Sequence, residues 1–193
     1  MSDLAKRGDV LDLDGDARPD MASLTLGSMN FRTQASINAP QTIVGLAEEM
    51  TDRGIRPELE IFDSGMAYLA GELLHRRAIE EPLYANVILG GPNTAPATAG
   101  ALTHLVGALP FGTTWAAGGL GVFQLAMNGL GLLVGGHVRT GLEDNLWMDA
   151  QRKNAATNVK LVERVVQLAQ IVGRPVSTPS ETRARLGLAP MAR

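Results

Sequence analysis

A chain of 193 residues has room for one domain of ordinary size, and 45% apolar against 19% charged residues supplies a core and excludes wholesale disorder. The net charge of −3 argues against a general nucleic-acid surface. The absence of Cys excludes disulfides, thiolate metal sites and cysteine nucleophiles, and suits a cytoplasmic, reducing setting.

Residues 1–18 are polar and loosely patterned, and Met1–Arg7 has no signal-peptide apolar stretch, so a single domain is expected over 19–193. Asp12-Leu13-Asp14-Gly15-Asp16, with Asp20 beyond, resembles a calcium loop. The glycine is misplaced for an EF-hand and no Glu stands at its twelfth position, so a solvated acidic turn is expected. Met21–Leu26 reads as a strand and Gly27–Asn30 as a turn. A helix follows Pro40, with Ile43, Leu46, Ala47 and Met50 on one face and Gly54 as its stop. Leu59–Phe62 is the next strand, and Met66, Leu69, Ala70, Leu73 and Leu74 repeat the helical spacing. Strand Asn86–Leu89, a helix near Thr98–Leu109, strand Thr113–Ala117, a helix near Val122–Asn128 and strand Leu132–Val138 follow. The last long helix is expected from about Thr157 to Val172, ended by Gly173 and Pro175.

From Pro82 to Val138 there is no Asp, Glu, Lys or Arg. Trp115–Gly136 is long enough to span a bilayer, but seven glycines with Gln124 and Asn128 interrupt it. It reads as buried strands and helices, because strands covered on both faces lose their polar alternation. Five strands alternating strictly with helices predict a parallel α/β sheet. Gly118-Gly119-Leu120-Gly121 lacks the spacing of a nucleotide fingerprint. The choice lies between an open doubly wound sheet and a barrel, and five such units are most of a (β/α)8 barrel without its beginning.

The uncharged stretch ends in His137-Val138-Arg139-Thr140-Gly141-Leu142-Glu143-Asp144-Asn145. His137, Arg139, Glu143 and Asp144 thus gather at the C-terminal end of a buried strand, the end that carries barrel active sites. One carboxylate could bind a cation while its neighbour moves a proton, with Arg139 to hold and aim it. A loop salt bridge with an acidic helix start accounts for the same residues. Glu58 and Glu60 share a strand face; Glu58 reads as a solvated strand start, and Glu60 as a structural ion pair or a ligand contact. Ser23 and Thr25 share a face and can donate hydroxyls to a carboxylate, or to neighbouring backbone. His75 and His104 form no ligand cluster.

Pro19–Phe31, Pro57–Met66, Gly136–Asn145 and Gly173–Pro179, in this order, resemble strand-end motifs of the β-keto acid cleavage enzymes, from about residue 19 to the C-terminus. The resemblance implies a zinc-dependent TIM barrel, here about its last five βα units, as a cytoplasmic homo-oligomer of amino-acid catabolism. It implies an acyltransferase that condenses a β-keto acid with acetyl-CoA, giving acetoacetate and a new acyl-CoA, with no nucleic-acid or membrane partner. It further implies that Glu143 is a zinc ligand, Asp144 the catalytic carboxylate, Arg139 the arginine that positions it, and Glu60, Ser23 and Thr25 substrate-orienting residues. The family's His-x-His zinc pair is absent from this sequence, as are the first βα units. The competing expectation is therefore an inactive fragment or a non-catalytic subunit of such an enzyme.

Overall fold

The computed structural model describes residues 8–31 and 33–190. Met1–Arg7, read above for a leader, lies outside the described residues. Five parallel strands form one sheet in chain order: β1 (Met21–Thr25), β4 (Arg56–Ile61), β5 (Tyr84–Leu89), β6 (Thr114–Gly119) and β7 (His137–Val138). A short antiparallel pair, β2 (Met29–Asn30) with β3 (Ala35–Ser36), follows β1 where a turn was expected. The helices are α1 (Pro40–Asp52), α2 (Ser64–His75), α3 (Ala99–Ala108), α4 (Gln124–Leu133), α5 (Asn158–Ile171) and α6 (Pro179–Arg185).

Local sequence accounts for most helix ends. Pro40 opens α1, where a missing N–H costs nothing, and Gly54 follows it at a φ of +64°. Asp63, Thr98 and Thr157 cap α2, α3 and α5 by accepting from the backbone N–H of Met66, Ala101 and Lys160. Thr178 and Glu181 form a reciprocal capping box at α6, a helix the spacing analysis did not foresee.

Strand register separates two faces. Leu24, Leu59 and Ala85 lie side by side, as do Ile61, Val87 and Ala117, and these residues pack with the buried faces of α1, α2, α3 and α4 in one aliphatic core. The opposite face carries Ser23 beside Glu58 beside Tyr84, and Thr25 beside Glu60 beside Asn86. Alternation along β4 makes the division: Pro57, Leu59 and Ile61 are buried while Glu58 and Glu60 point the other way. The sheet thus delivers hydroxyls and carboxylates to one surface.

One expected strand is corrected. Leu132 and Leu133 end α4, and β7 is only His137–Val138. An apolar run such as Leu130–Val134 fits a helix or a strand, and here Met127, Gly131 and Leu132 bury one helical face. Gly135 at a φ of +92° turns the chain, and Gly136 lies against the Trp115 ring, where a Cβ would stand 2.2 Å from ring carbons. The run weighed as a membrane span is therefore divided between β6 and α4. Among the described residues no helix is long and apolar enough to cross a membrane.

A two-residue strand needs help to hold its place. Asn128, fully buried on α4, donates from Nδ2 to the carbonyls of Ala117 (3.2 Å) and Arg139 (2.8 Å), bridging β6 to the end of β7. Asn128→Ala leaves both carbonyls short of a donor and is expected to cost about 2 kcal/mol, read as a shift in the urea midpoint with an unchanged slope.

Candidate active site

Beyond β7 the chain forms a loop, residues 139–147, fastened by side-chain carboxamides. Gln124 of α4 donates to Gly141 O at 3.0 Å, Asn145 donates to Trp147 O at 2.7 Å, and Asn158 Oδ1 accepts from Leu142 N–H at 2.9 Å. The carbonyl of Asp144 accepts from Gly121 N–H at 2.7 Å. Backbone groups that a loop would otherwise present to water are paired, and the loop's two carboxylates are set in place.

The Arg139 guanidinium stands at the centre. Its Nε donates to Asp144 Oδ2 at 2.9 Å and its Nη2 to Glu143 Oε2 at 2.8 Å. Its Nη1 faces Glu58 Oε1 at 3.4 Å and Glu60 Oε1 at 3.6 Å. The stem crosses β6 over Gly118, where a Cβ would sit 3.5 Å from it. Two supports stand behind the strand carboxylates: Thr25 Oγ1 donates to Glu60 Oε2 at 2.5 Å, and Asn86 Nδ2 donates to Glu58 Oε1. Tyr84 in turn donates its hydroxyl to Asn86 Oδ1 at 3.1 Å.

The two adjacent carboxylates differ sharply in surroundings. The Asp144 side chain is 5% exposed and the Glu143 side chain 82%. Burial pushes the Glu58 carboxyl above the usual carboxylate range; Arg139 opposes this, while Glu60 and Glu143 add to it. Burial also works against the charge of Arg139, but the hydrogen bond to Asp144 and the surrounding carboxylates outweigh it and hold the cation above its ordinary value. Tyr84 is pushed up to about 12, by burial first and then by the Glu58 charge.

The residues singled out in sequence therefore divide. Arg139, Asp144, Glu143 and Glu60 meet in one cluster, with Thr25 bound to Glu60. Ser23 lies on the same face, opposite Glu58 in register. His137 stays apart: burial and then the nearby Arg185 and Arg174 lower its pKa, which keeps it neutral. Glu58 is not a solvated strand start but a member of the cluster, and Asn86 and Tyr84 are additions that the sequence reading missed. The acidic turn near residue 12 pairs Asp12 with Arg53 of the segment following α1. Among the described residues no group of three or more His, Cys, Asp or Glu could hold a metal ion.

The chain is similar along most of its length to known proteins of one family. The model of the beta-keto acid cleavage enzyme family matches residues 1–188. The 3-oxoadipate:acetyl-CoA acetyltransferase of Cupriavidus necator is 40% identical over 189 residues, 96% of this chain and 65% of that protein. The 3-keto-5-aminohexanoate cleavage enzyme of Acetoanaerobium sticklandii is 36% identical over 172 residues, 89% of this chain and 63% of that protein. This chain thus spans less than two thirds of the length of these relatives. The apo structure of ObcA superposes with a TM-score of 0.76 at 19% identity, over 94% of this chain and 47% of that one, a likeness of fold.

Two outcomes follow from the cluster. Arg139→Met strands partly buried carboxylates without their cation and is expected to cost about 3 kcal/mol at pH 7. Chemical denaturation should show a smaller cost as the pH falls into the acid range, because Glu58, held above the usual carboxylate range, takes up its proton early. For Tyr84, the folded state keeps its proton to about 12 while the unfolded chain releases it near 10. The resulting stability, about 3 kcal/mol, is whole below pH 10 and lost as pH climbs toward 12. Tyr84→Phe should lack that loss in denaturation curves at pH 8 and 11.5.

Proposed function

We propose that this chain, which belongs to the beta-keto acid cleavage enzyme family, carries the acid–base half of a site that exchanges acyl groups between a β-keto acid and acetyl-CoA. The observation that carries the reading is the Arg139–Asp144 pair. A carboxylate with a side chain 5% exposed is gripped by a guanidinium that also reaches Glu60, on the sheet face that carries Thr25 and Ser23.

In this reading Asp144 takes the proton from the carbon between the keto and carboxylate groups of the substrate. The carbanion attacks the acetyl carbonyl of acetyl-CoA, forming a carbon–carbon bond and releasing the CoA thiolate. The thiolate then attacks the original keto carbonyl. The bond between that carbonyl and the former α-carbon breaks, acetoacetate departs with its proton returned by Asp144, and the remaining acyl group leaves as its CoA thioester. Arg139 keeps Asp144 aimed through both transfers. Ser23 holds the substrate carboxylate, and Glu60, fixed by Thr25, orients the substrate end.

The family implies zinc, and Glu143 is the residue matched to one of its ligands. Catalytic zinc takes three protein ligands, and Glu143 stands exposed, bound to Arg139, and among the described residues belongs to no group of three or more side chains that could hold a metal. These residues do not fit a zinc site, and the mechanism is drawn from the chain's own groups. The sheet reads as the last five βα units of a (β/α)8 barrel: its strands are parallel in chain order, with helices packed on one face and polar groups on the other. A cytoplasmic homo-oligomer remains the expected form. The competing reading, an inactive fragment or non-catalytic subunit, draws its support from the span of 63–65% of the relatives' length.

The test offers a panel of β-keto acids, 3-oxoadipate among them, with acetyl-CoA, and follows acetoacetate and new acyl-CoA by mass spectrometry. Turnover by the chain and a loss of at least about 100-fold in kcat for Asp144→Asn are expected. Equal turnover by Asp144→Asn would remove Asp144 from the mechanism, and no turnover of any substrate would favour the non-catalytic reading.

A further inference from the structure

Arg139 offers five N–H donors in a flat, rigid fork, and which carboxylate each donor serves depends on how the fork is turned. Its Nε and Nη2 serve the loop carboxylates Asp144 and Glu143. Nothing in the loop fixes the remaining corner, Nη1. That corner meets the strand carboxylates, and only the contact to Glu58 Oε1, at 3.4 Å, has hydrogen-bond geometry; Glu60 Oε1 is further off at 3.6 Å. The two glutamates are supported differently. Glu60 is held by the hydroxyl of Thr25 on β1. Glu58 is held from β5, where Asn86 Nδ2 donates to Oε1, the same oxygen that faces Arg139. Asn86 is 2% exposed, and its own orientation is set by the Tyr84 hydroxyl on its Oδ1, which obliges the Nδ2 group to point at Glu58.

We propose that Glu58, held by Asn86 and Tyr84, is a positioning residue: it pins Nη1 of Arg139 and so holds Nε of the guanidinium on Asp144. The string Tyr84–Asn86–Glu58–Arg139–Asp144 runs from strand β5 across β4 to the loop after β7. It ties the orientation of the proposed proton-moving carboxylate to the rigid sheet instead of to the loop alone. Neither Glu58 nor its two supports needs to touch the substrate. The geometry favours a hydrogen-bonded string over a diffuse charge effect, because each member presents the donor or acceptor its neighbour requires. The inference rests on the reading above for its catalytic meaning, but the arrangement of Arg139 can be read on the chain without any reaction.

The test is nitrogen-15 NMR of the arginine side chains in the intact chain, with Arg139 assigned by its loss in Arg139→Lys. A pinned guanidinium gives separate Nη1 and Nη2 signals in slow exchange. In Glu58→Ala, exchange between the two sites is expected to quicken at least about tenfold, and in Asn86→Ala to quicken in the same sense. Glu58→Gln, which keeps an acceptor oxygen, should restore most of the slow exchange. A residue that merely fills space would not distinguish Gln from Ala in this signal. A Tyr68→Phe background leaves Tyr84 as the single tyrosine of the two. There, Glu58→Gln should lower the pH at which Tyr84 ionises, because the charge next to it is gone. If Glu58→Ala does not fold, Asn86→Ala decides. Unchanged Arg139 exchange in a folded Glu58→Ala or Asn86→Ala protein overturns the proposal, whatever the chain does with β-keto acids.

Discussion

One cation organises the polar face of this protein. Arg139 faces four carboxylates, Glu58 and Glu60 from β4 and Glu143 and Asp144 from the following loop. A single guanidinium cannot neutralise four charges, so surroundings decide how each is accommodated. Glu143 remains in water, where its charge costs little. Glu58 is desolvated and holds its proton more tightly than usual. Asp144 receives the charged edge of the fork at 2.9 Å. Isolated surface pairs contribute little to stability, but a partly buried guanidinium shared among desolvated carboxylates is costly to remove, because its loss strands charges.

The arrangement depends on buried carboxamides as much as on ions. Asn128 holds the end of β7 against β6, Gln124 holds the loop at Gly141, and Asn86 stands behind Glu58. An amide offers two donors and an acceptor at no cost in charge, which suits a site whose acidity must be kept for a few groups. A weak two-residue strand and an irregular loop can therefore present Asp144 in a fixed direction.

Much of this was legible in sequence. Period-two spacing put Glu58 with Glu60 and Ser23 with Thr25, and the change from an uncharged stretch to Arg139, Glu143 and Asp144 marked the loop. Where the reading failed, the reasons are physical. Starting the third main strand at Asn86 hid the alternation Tyr84-Ala85-Asn86-Val87, which repeats the polar-and-apolar pattern of Glu58-Leu59-Glu60-Ile61. Leucine-rich Leu130–Val134 suited either period, and the decision came from Gly135, which turns the chain at positive φ, and Gly136, which lies against Trp115. The tie between Asp20 and Arg183, both oxygens bound at 2.7 Å, joins residues far apart in the chain, and no local pattern announces it. The resemblance to the beta-keto acid cleavage enzymes rested on four segments, and the family match over residues 1–188 agrees with it.

The acid–base cluster on this face is proposed to move an acetyl group onto the α-carbon of a β-keto acid. The most direct measurement supplies acetyl-CoA carrying carbon-13 at both acetyl carbons and reads the acetoacetate by NMR. The account predicts label in the keto carbon and terminal methyl of acetoacetate, with the carboxylate and its neighbouring carbon unlabelled and the new acyl-CoA free of label. Label retained in the acyl-CoA product, or acetoacetate formed without label, would contradict it.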